Sequence, residues 1–402
     1  MRIGIDAREL CGRATGVGRY LAGLLHEWAT GGRACAHDFV LYAPEAIALT
    51  LDSRKFRTRL IAGSAGTWWE QITLPRAVRA DAIDVWFAPG YTAPLRLTMP
   101  LVVAIHDLSF VAHPEWFGVR EGARRRWLVR RTANTAAAII TISQFSKREI
   151  VDRLNVEEQR IHVVPPGIGA GGSGLGASRH ESGARGLGLG ASRQEPRNPA
   201  SPQPLVSSPD GSAASPQPPA PSPYSVLYVG SIFNRRHVVD LIRAFAPIAR
   251  ARTDVSLDIV GDNRSHPRQD LRATIANEDI GDRVRWHEYV TDEQLHALYA
   301  KARVFAFLSE YEGLGLTPLE ALAAGVPPLL LDTPVARESC GAAAVYVPVN
   351  DLPATTHALE SLLFDEQIRA TVLGAAPAQL AKYSWTDAAI NTLVVIENAA
   401  SR

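Results

Sequence analysis

The chain has 402 residues, of which 46% are apolar and 21% charged. That balance supports two or three folded domains and excludes a wholly disordered polymer. Lys and Arg number 42 and Asp and Glu 41, so a net charge of +1 gives no global field for nucleic acid. Cys11, Cys35 and Cys340 are far apart and lack metal-ligand spacing, which suggests a reducing compartment. The opening MRIGIDAREL reads as a strand and loop rather than a signal peptide. No run of 18 apolar residues is present to span a membrane.

In chain order, RIGI, FVLY, VWFA, LVVAIH, AAIITIS and IHVVP predict strands in residues 1–168. Helical patterns such as GRYLAGLLHEWA and SKREIVDRL lie between some of them. Residues 169–223 break this rhythm. Gly, Ala, Ser and Pro supply 38 of these 55 positions, and the segment repeats itself at an offset of 14. GLGASRHE at 174–181 returns as GLGASRQE at 188–195, and ASPQP at 200–204 returns at 214–218. No such repeat can bury an apolar face, so the segment reads as a disordered insert. Beyond it, SVLYVG, SLDIVG, VRWHEY, RVFAFLS and PPLLLD predict strands alternating with VVDLIRAFAPIAR, DEQLHALYAKA and LEALAAG as helices. The charge divides as +6 before the insert, +1 within it and −6 after it. The polarity suggests that the two halves meet different partners.

The βαβ rhythm implies an α/β protein of two doubly wound parallel sheets, with ligands bound beyond the carboxyl ends of the strands. Four constellations fall there. TGVGRY, residues 15–20, offers glycines and a helix start to an anion, and reads equally well as a tight turn. A dinucleotide fingerprint is absent, because Leu21 stands where the third glycine belongs. His106-Asp107 ends the run LVVAI; such a histidine orients a hydroxyl, or simply holds a loop. GSIFNRRH, residues 230–237, sets Arg235 and Arg236 before a helix starting near Val238, which suits phosphate. With 38 Arg and only 4 Lys in the chain, a solvated basic turn is the competing reading. EGLGLTPLE, residues 312–320, is the most specific. Thr317 fits a helix cap, Pro318 its first position, and Gly325 its end. The helix start suits a diphosphate, and Glu312 and Glu320 can accept from sugar hydroxyls on either side of it. A capping box from Thr317 to Glu320 would explain Glu320, but not Glu312 or the glycines.

Taken in order, TGVGRY, IHDLSF, ISQFSKREI, PPGI, LYVGS with its following arginines, EGLGLTPLEALAAG and a terminal YSW resemble the retaining glycosyltransferases of family four. The likeness runs nearly end to end and omits only the insert. It implies the GT-B fold: a first, acceptor-binding Rossmann-like domain over 1–168 and a nucleotide-sugar domain over 224–385. It also implies that a last helix, 386–402, crosses back to the first domain.

By position, the resemblance gives Gly16 and Val17 the donor diphosphate and His106 the transferred sugar. Arg235 and Arg236 would neutralise the leaving group. Glu312, with the backbone of Gly313, Leu314 and Gly315, would hold the sugar. Leu316 and Thr317 would donate N–H groups to phosphate, and Glu320 would bind ribose. The family's second basic position is usually Lys and is followed by Asn. Here Arg236 and His237 stand there, and Arg is not a geometric equivalent of Lys.

The implied reaction is front-face transfer with retention, in which the departing phosphate takes the acceptor's proton. It needs no metal or other cofactor, and the sequence contains no Asp-x-Asp pair. GDP-mannose is the expected donor, and a surface glycan or lipid-linked saccharide the expected acceptor. Between Trp116 and Arg131, Arg120, Arg124, Arg125 and Trp127 sit in a basic, aromatic helix. That helix suits an anionic membrane surface, or a lipid diphosphate, or mere solvent. The expected location is the cytoplasm, with peripheral contact at the inner membrane face. A non-catalytic sugar-nucleotide-binding or scaffold protein of the same fold is the alternative from another class. A phosphorylase or epimerase of that fold fits less well, since neither Lys301 nor Lys382 occupies an obvious cofactor site.

Overall fold

The computed structural model describes residues 1–12, 16–47, 49–169 and 224–401. All but the first residue of the expected disordered insert, from 170 to 223, lies outside them. The first sheet consists of β1 (Arg2–Asp6), β2 (Asp38–Ala43), β3 (Phe56–Leu60), β4 (Val85–Ala88), β5 (Leu101–Ala104), β6 (Ala138–Thr141) and β7 (Ile161–Val163). Their spatial order is β3-β2-β1-β4-β5-β6-β7, with every pairing parallel. The second sheet consists of β8 (Tyr224–Val229), β9 (Val255–Val260), β10 (Val284–His287), β11 (Ala302–Phe307), β12 (Pro328–Leu331) and β13 (Val345–Val347). It is also wholly parallel, in the order β10-β9-β8-β11-β12-β13.

The central strands explain the apolar runs. Every residue of β4, β5 and β6 is buried, as helices on both faces of a parallel sheet require. Two strands have no such run. In β3 only Phe56 is buried, while Arg57 and Arg59 pair with Asp81 at 3.0 and 3.2 Å. It is a charged edge strand, protected from further pairing by those side chains. The other, β13, has three residues and is recognised by its ladder to β12.

The helix Trp385–Ala400 belongs to the first domain by packing, although it ends the chain. Leu393 and Ile396 are buried in one core with Ile3, Leu21 and Phe87. Trp28 Nε1 donates to the Ala389 carbonyl at 3.0 Å, and Glu397 pairs with His37 at 2.8 Å and with Arg33. Trp385 lies against the helix Gly16–Thr30 so closely that a Cβ on Gly23 would fall 2.5 Å from its ring. Ile396→Ala should therefore destabilise the protein by about 2–5 kcal/mol, the usual range for a buried aliphatic truncation. Chemical denaturation measures this, and an unchanged midpoint would show that the helix is only loosely docked.

Candidate active site

Strand-end loops of the two sheets meet edge to edge. Gly313, in the loop after β11, packs on the backbone of His106, which follows β5; a Cβ at 313 would lie 2.3 Å from the His106 carbonyl oxygen. Ser143 Oγ donates to the Gly313 carbonyl at 2.6 Å. Ser146 Oγ lies 2.9 Å from the His106 carbonyl and 3.1 Å from that of Gly313, so its one proton is shared between them. Ser143 is also the N-cap of the helix Gln144–Leu154, accepting from Ser146 N. At the same helix start, the Glu338 carboxylate reaches over from the second domain. It accepts from Gln144 N at 2.5 Å and Phe145 N at 2.8 Å, where negative charge is favoured.

Behind this seam lies a cavity of about 330 Å³ between the domains. Gly16, Val17, Arg19 and His106 line it from the first domain, and Leu316 and Glu320 from the second. Trp385 and the segment Pro166–Gly169 also line it. Two helices, Gly16–Thr30 and Leu316–Ala323, thus present their first turns to one space. The dipoles of both helices, and the uncapped start at Leu316, make that space favourable for an anion.

Inside the cavity His106 is buried and its Nε2 lies 2.7 Å from the Pro89 carbonyl. A carbonyl only accepts, so Nε2 carries the proton and Nδ1 keeps its lone pair. Burial lowers the imidazole pKa, against the opposing effect of that hydrogen bond, so the ring is neutral at pH 7. Tyr20 and Tyr91 pack edge-on against it, with centroids 4.7 and 5.7 Å away. Tyr91 in turn donates to Asp107 Oδ2 at 2.5 Å. Glu320 faces Arg19 across the cleft at 3.7 Å. Burial raises the Glu320 carboxyl, and Arg19 partly offsets this.

Glu312 is not on this cavity but in a narrow recess beside it, with Leu314 and Gly315. Its Oε1 accepts from Arg236 Nε at 2.9 Å and from Ser309 Oγ at 2.8 Å. Arg236 also donates to the Ser231 carbonyl. Burial is the largest effect and opposes its charge, but Glu312 and Tyr228 together outweigh it and the pKa is raised. Arg235 differs sharply from its neighbour. Its Nε is buried with no hydrogen-bond partner among the described residues. Burial lowers its pKa, with Glu312 acting the other way. The two arginines expected to act together are therefore one spoken-for cation and one unneutralised cation.

The helix after Gly315 corrects one expectation. It starts at Leu316, and Gly315 is its N-cap at φ 85° with no side-chain cap. A left-handed residue is needed at that turn, and glycine takes it at little cost. Thr317 and Pro318 consequently lie within the first turn, and no Thr317–Glu320 capping box forms. Glu320 is left to face Arg19. Leu314 is buried in the second-domain core, so it offers the site its backbone alone.

The arginine-rich segment is the helix Val119–Thr135. Arg120, Arg124 and Trp127 are exposed on one face of it. Arg125 departs from the expected open surface: its guanidinium lies over Phe110 at 4.9 Å. Arg124 and Arg125 border a second cavity, of about 230 Å³, with Asp6, Arg8, Glu70 and Tyr91. There Arg8 bridges the buried carboxylates of Asp6 and Glu70 at 2.5 Å each, and Thr92 donates to Glu70. Tyr91 lines both cavities and so stands between them. Sequence reasoning passed over Arg19, Tyr91 and Trp385. Arg19 and Trp385 sit inside the motifs TGVGRY and YSW, whereas nothing local marks Tyr91.

The profile described as glycosyl transferases group 1 matches residues 214–377, and that described as glycosyltransferase family 4 matches residues 14–170. The chain is 26% identical over 310 residues to O-antigen chain mannosyltransferase B of Escherichia coli, covering 77% of this chain and 73% of that one. It is 28% identical over 167 residues to a GDP-mannose:cellobiosyl-diphosphopolyprenol alpha-mannosyltransferase of Xanthomonas oryzae. That second match spans 40% of this chain and 43% of the relative. Among solved structures, a sucrose-phosphate synthase of Thermosynechococcus elongatus superposes with a TM-score of 0.70 at 16% identity, covering 100% of this chain and 99% of the other. HepE of Anabaena, in complex with UDP and glucose, gives 0.68 at 16% identity, covering 99% and 100%. These likenesses establish the GT-B fold.

Gly313→Ala tests the seam. Its methyl group cannot share space with the His106 carbonyl, so the loops must separate. Small-angle scattering should show a larger radius of gyration than for the wild-type chain. An unchanged profile with intact folding would mean that the seam does not hold the domains together.

Proposed function

Because the chain belongs to the group 1 and family 4 glycosyltransferases, we propose that it transfers mannose from GDP-mannose to a glycan or lipid-linked acceptor, with retention at the anomeric carbon. The observation that carries the reading is the pairing of two helix starts from opposite domains on one cavity, with Glu320 at its side. A diphosphate fits between such starts. The two mannosyltransferase relatives support the choice of sugar, and the GDP-mannose named for the second supports the base.

In this mechanism Glu320 accepts from the ribose hydroxyls. The Leu316 and Thr317 N–H groups and Arg235 receive the diphosphate. His106 Nδ1 accepts from a hydroxyl of the transferred sugar. Glu312, held through Oε1, keeps Oε2 for the same sugar. The bond from the anomeric carbon to the diphosphate oxygen breaks. The bond to the acceptor oxygen forms on the same face, and the acceptor's proton passes to the departing phosphate. Stabilisation of that leaving charge is the main catalytic demand. The acceptor enters beside Tyr91, in the second cavity, where Arg124 and Arg125 suit a phosphate-bearing carrier. Arg120, Arg124 and Trp127 rest that domain on an anionic membrane surface.

Thermal stabilisation against GDP, UDP and ADP tests the donor site. GDP should raise the melting temperature most, and Glu320→Ala should weaken the effect. A larger shift with UDP would change the base. Binding of GDP without mannosyl transfer to any supplied acceptor would favour a non-catalytic sugar-nucleotide-binding protein. The surface is tested separately by co-sedimentation with phosphatidylglycerol vesicles. Binding should fall with salt and be lost in the variant Arg120→Glu, Arg124→Glu, Trp127→Ala. Absence of wild-type binding at low salt would remove the membrane contact.

A further inference from the structure

Trp116 reads in the sequence as one of the aromatics of a basic membrane-facing stretch, yet it is half-buried and turned into the domain seam. The Arg235 guanidinium carbon lies 5.4 Å from its ring centroid and 4.4 Å from that of Phe233. Trp116 comes from the first domain, and Arg235 and Phe233 from the second. Trp116 is itself braced. The His113 ring stacks on it at 3.8 Å and 10°, and Tyr311 meets both rings edge-on at 5.4 and 6.3 Å. Tyr311 is fixed in turn by accepting from Leu108 N at 3.3 Å and donating to Glu149 at 3.2 Å.

A buried arginine is ordinarily held by a carboxylate, as Glu312 holds Arg236. A carboxylate would orient Arg235 but cancel its charge. An aromatic face orients a guanidinium through the ring quadrupole and leaves the full positive charge available. Arg235 also keeps a buried Nε without a hydrogen-bond partner among the described residues. An anion supplied by a ligand satisfies both conditions.

We propose that Trp116 is a positioning residue, lent by the first domain, that holds the unneutralised Arg235 toward the leaving diphosphate when the domains close. This rests on the reading of Arg235 as a diphosphate-binding cation. It links closure to chemistry: the cation is fully positioned only when the loop leading into the helix Val119–Thr135 is in place.

The test compares nucleoside di- and monophosphates by isothermal titration calorimetry, with GDP against GMP and UDP against UMP. Trp116→Ala should weaken diphosphate binding about tenfold, the scale of a desolvated cation–π contact, and leave monophosphate binding unchanged. Trp116→Phe, which keeps a π face, should stay within about threefold of wild type. Trp116→Leu, which fills the space without one, should behave like Ala and stands in for it if Ala misfolds. In an Arg235→Ala background, removal of Trp116 should cost nothing further, since coupled residues are not additive. Equal losses for di- and monophosphate, an unchanged diphosphate affinity, or a further loss in the Arg235→Ala background would each overturn the proposal. Wild-type protein that fails to prefer either diphosphate over its monophosphate would instead overturn the role of Arg235, and the proposal with it.

Discussion

The site depends on a contact that has no side chain on one of its sides. Gly313 lets the loop after β11 lie on the backbone of His106, and a single methyl group there would prevent it. Ser143 and Ser146 then tie the two carbonyls together. Contacts that cross the domains here are small when taken singly. The Arg19–Glu320 pair is 3.7 Å long and part-exposed, and such pairs contribute about 1 kcal/mol or less. Interfaces between domains of one chain are normally of this transient kind. A close backbone approach adds shape rather than strength: it permits one way of closing and makes the polar contacts register together.

That geometry sorts three arginines into three electrostatic states. Arg236 is paired with Glu312, Arg19 is opposed at a distance by Glu320, and Arg235 lies against aromatic faces, with Glu312 and Asp107 acting on it without an ion pair. A ligand anion that sought Arg236 would have to displace a carboxylate held at 2.9 Å. One that sought Arg235 would displace nothing and would relieve a desolvated charge. Burying a charge without an ion pair is costly, and an anion beside Arg235 would offset that cost. Preorganised charge of this kind is effective in catalysis because it need not rearrange when charge develops on the leaving group. Arg236 differs in holding Glu312 by Oε1.

Much of this architecture is legible in the sequence, because buried parallel strands require unbroken apolar runs. LVVA and IIT are such runs, and the ligand-bearing loops follow from where they end. What is not legible depends on partners distant in the chain. Nothing in FRTRL distinguishes an edge strand from a loop until Asp81 is seen to hold its arginines. Thr317-x-x-Glu320 with Pro318 satisfies every local rule for a cap, but those rules give way to the left-handed turn at Gly315. Arg235 and Arg236 are adjacent and chemically identical, and only tertiary packing assigns Glu312 to one and Trp116 to the other. Trp116 among arginines looks like a surface aromatic for the same reason, because its partner lies more than a hundred residues away in the other domain.

The way the chain crosses between domains explains why the cavity sits where it does. The chain leaves the first domain through Pro166–Gly169 and returns through Tyr383–Trp385. The two crossings lie side by side: Ile168 N donates to the Tyr383 carbonyl at 3.3 Å, and Trp385 packs on Gly167. Two crossings held side by side in this way are the place where a hinge would act. The Gly313–His106 seam is the opposite, closing edge. The cavity is bounded by both, with Trp385 and Ile168 on the hinge side and His106 and Leu316 toward the seam. Rotation there would change the distance between the helix starts at Gly16 and Leu316 and leave the wall formed by Trp385 in place. Trp385 begins a helix whose core contacts all belong to the first domain, so that wall is anchored by Leu393 and Ile396. On the proposed reading, a ligand anion held between the two helix starts would draw the seam shut, and closure would bring Trp116 onto Arg235.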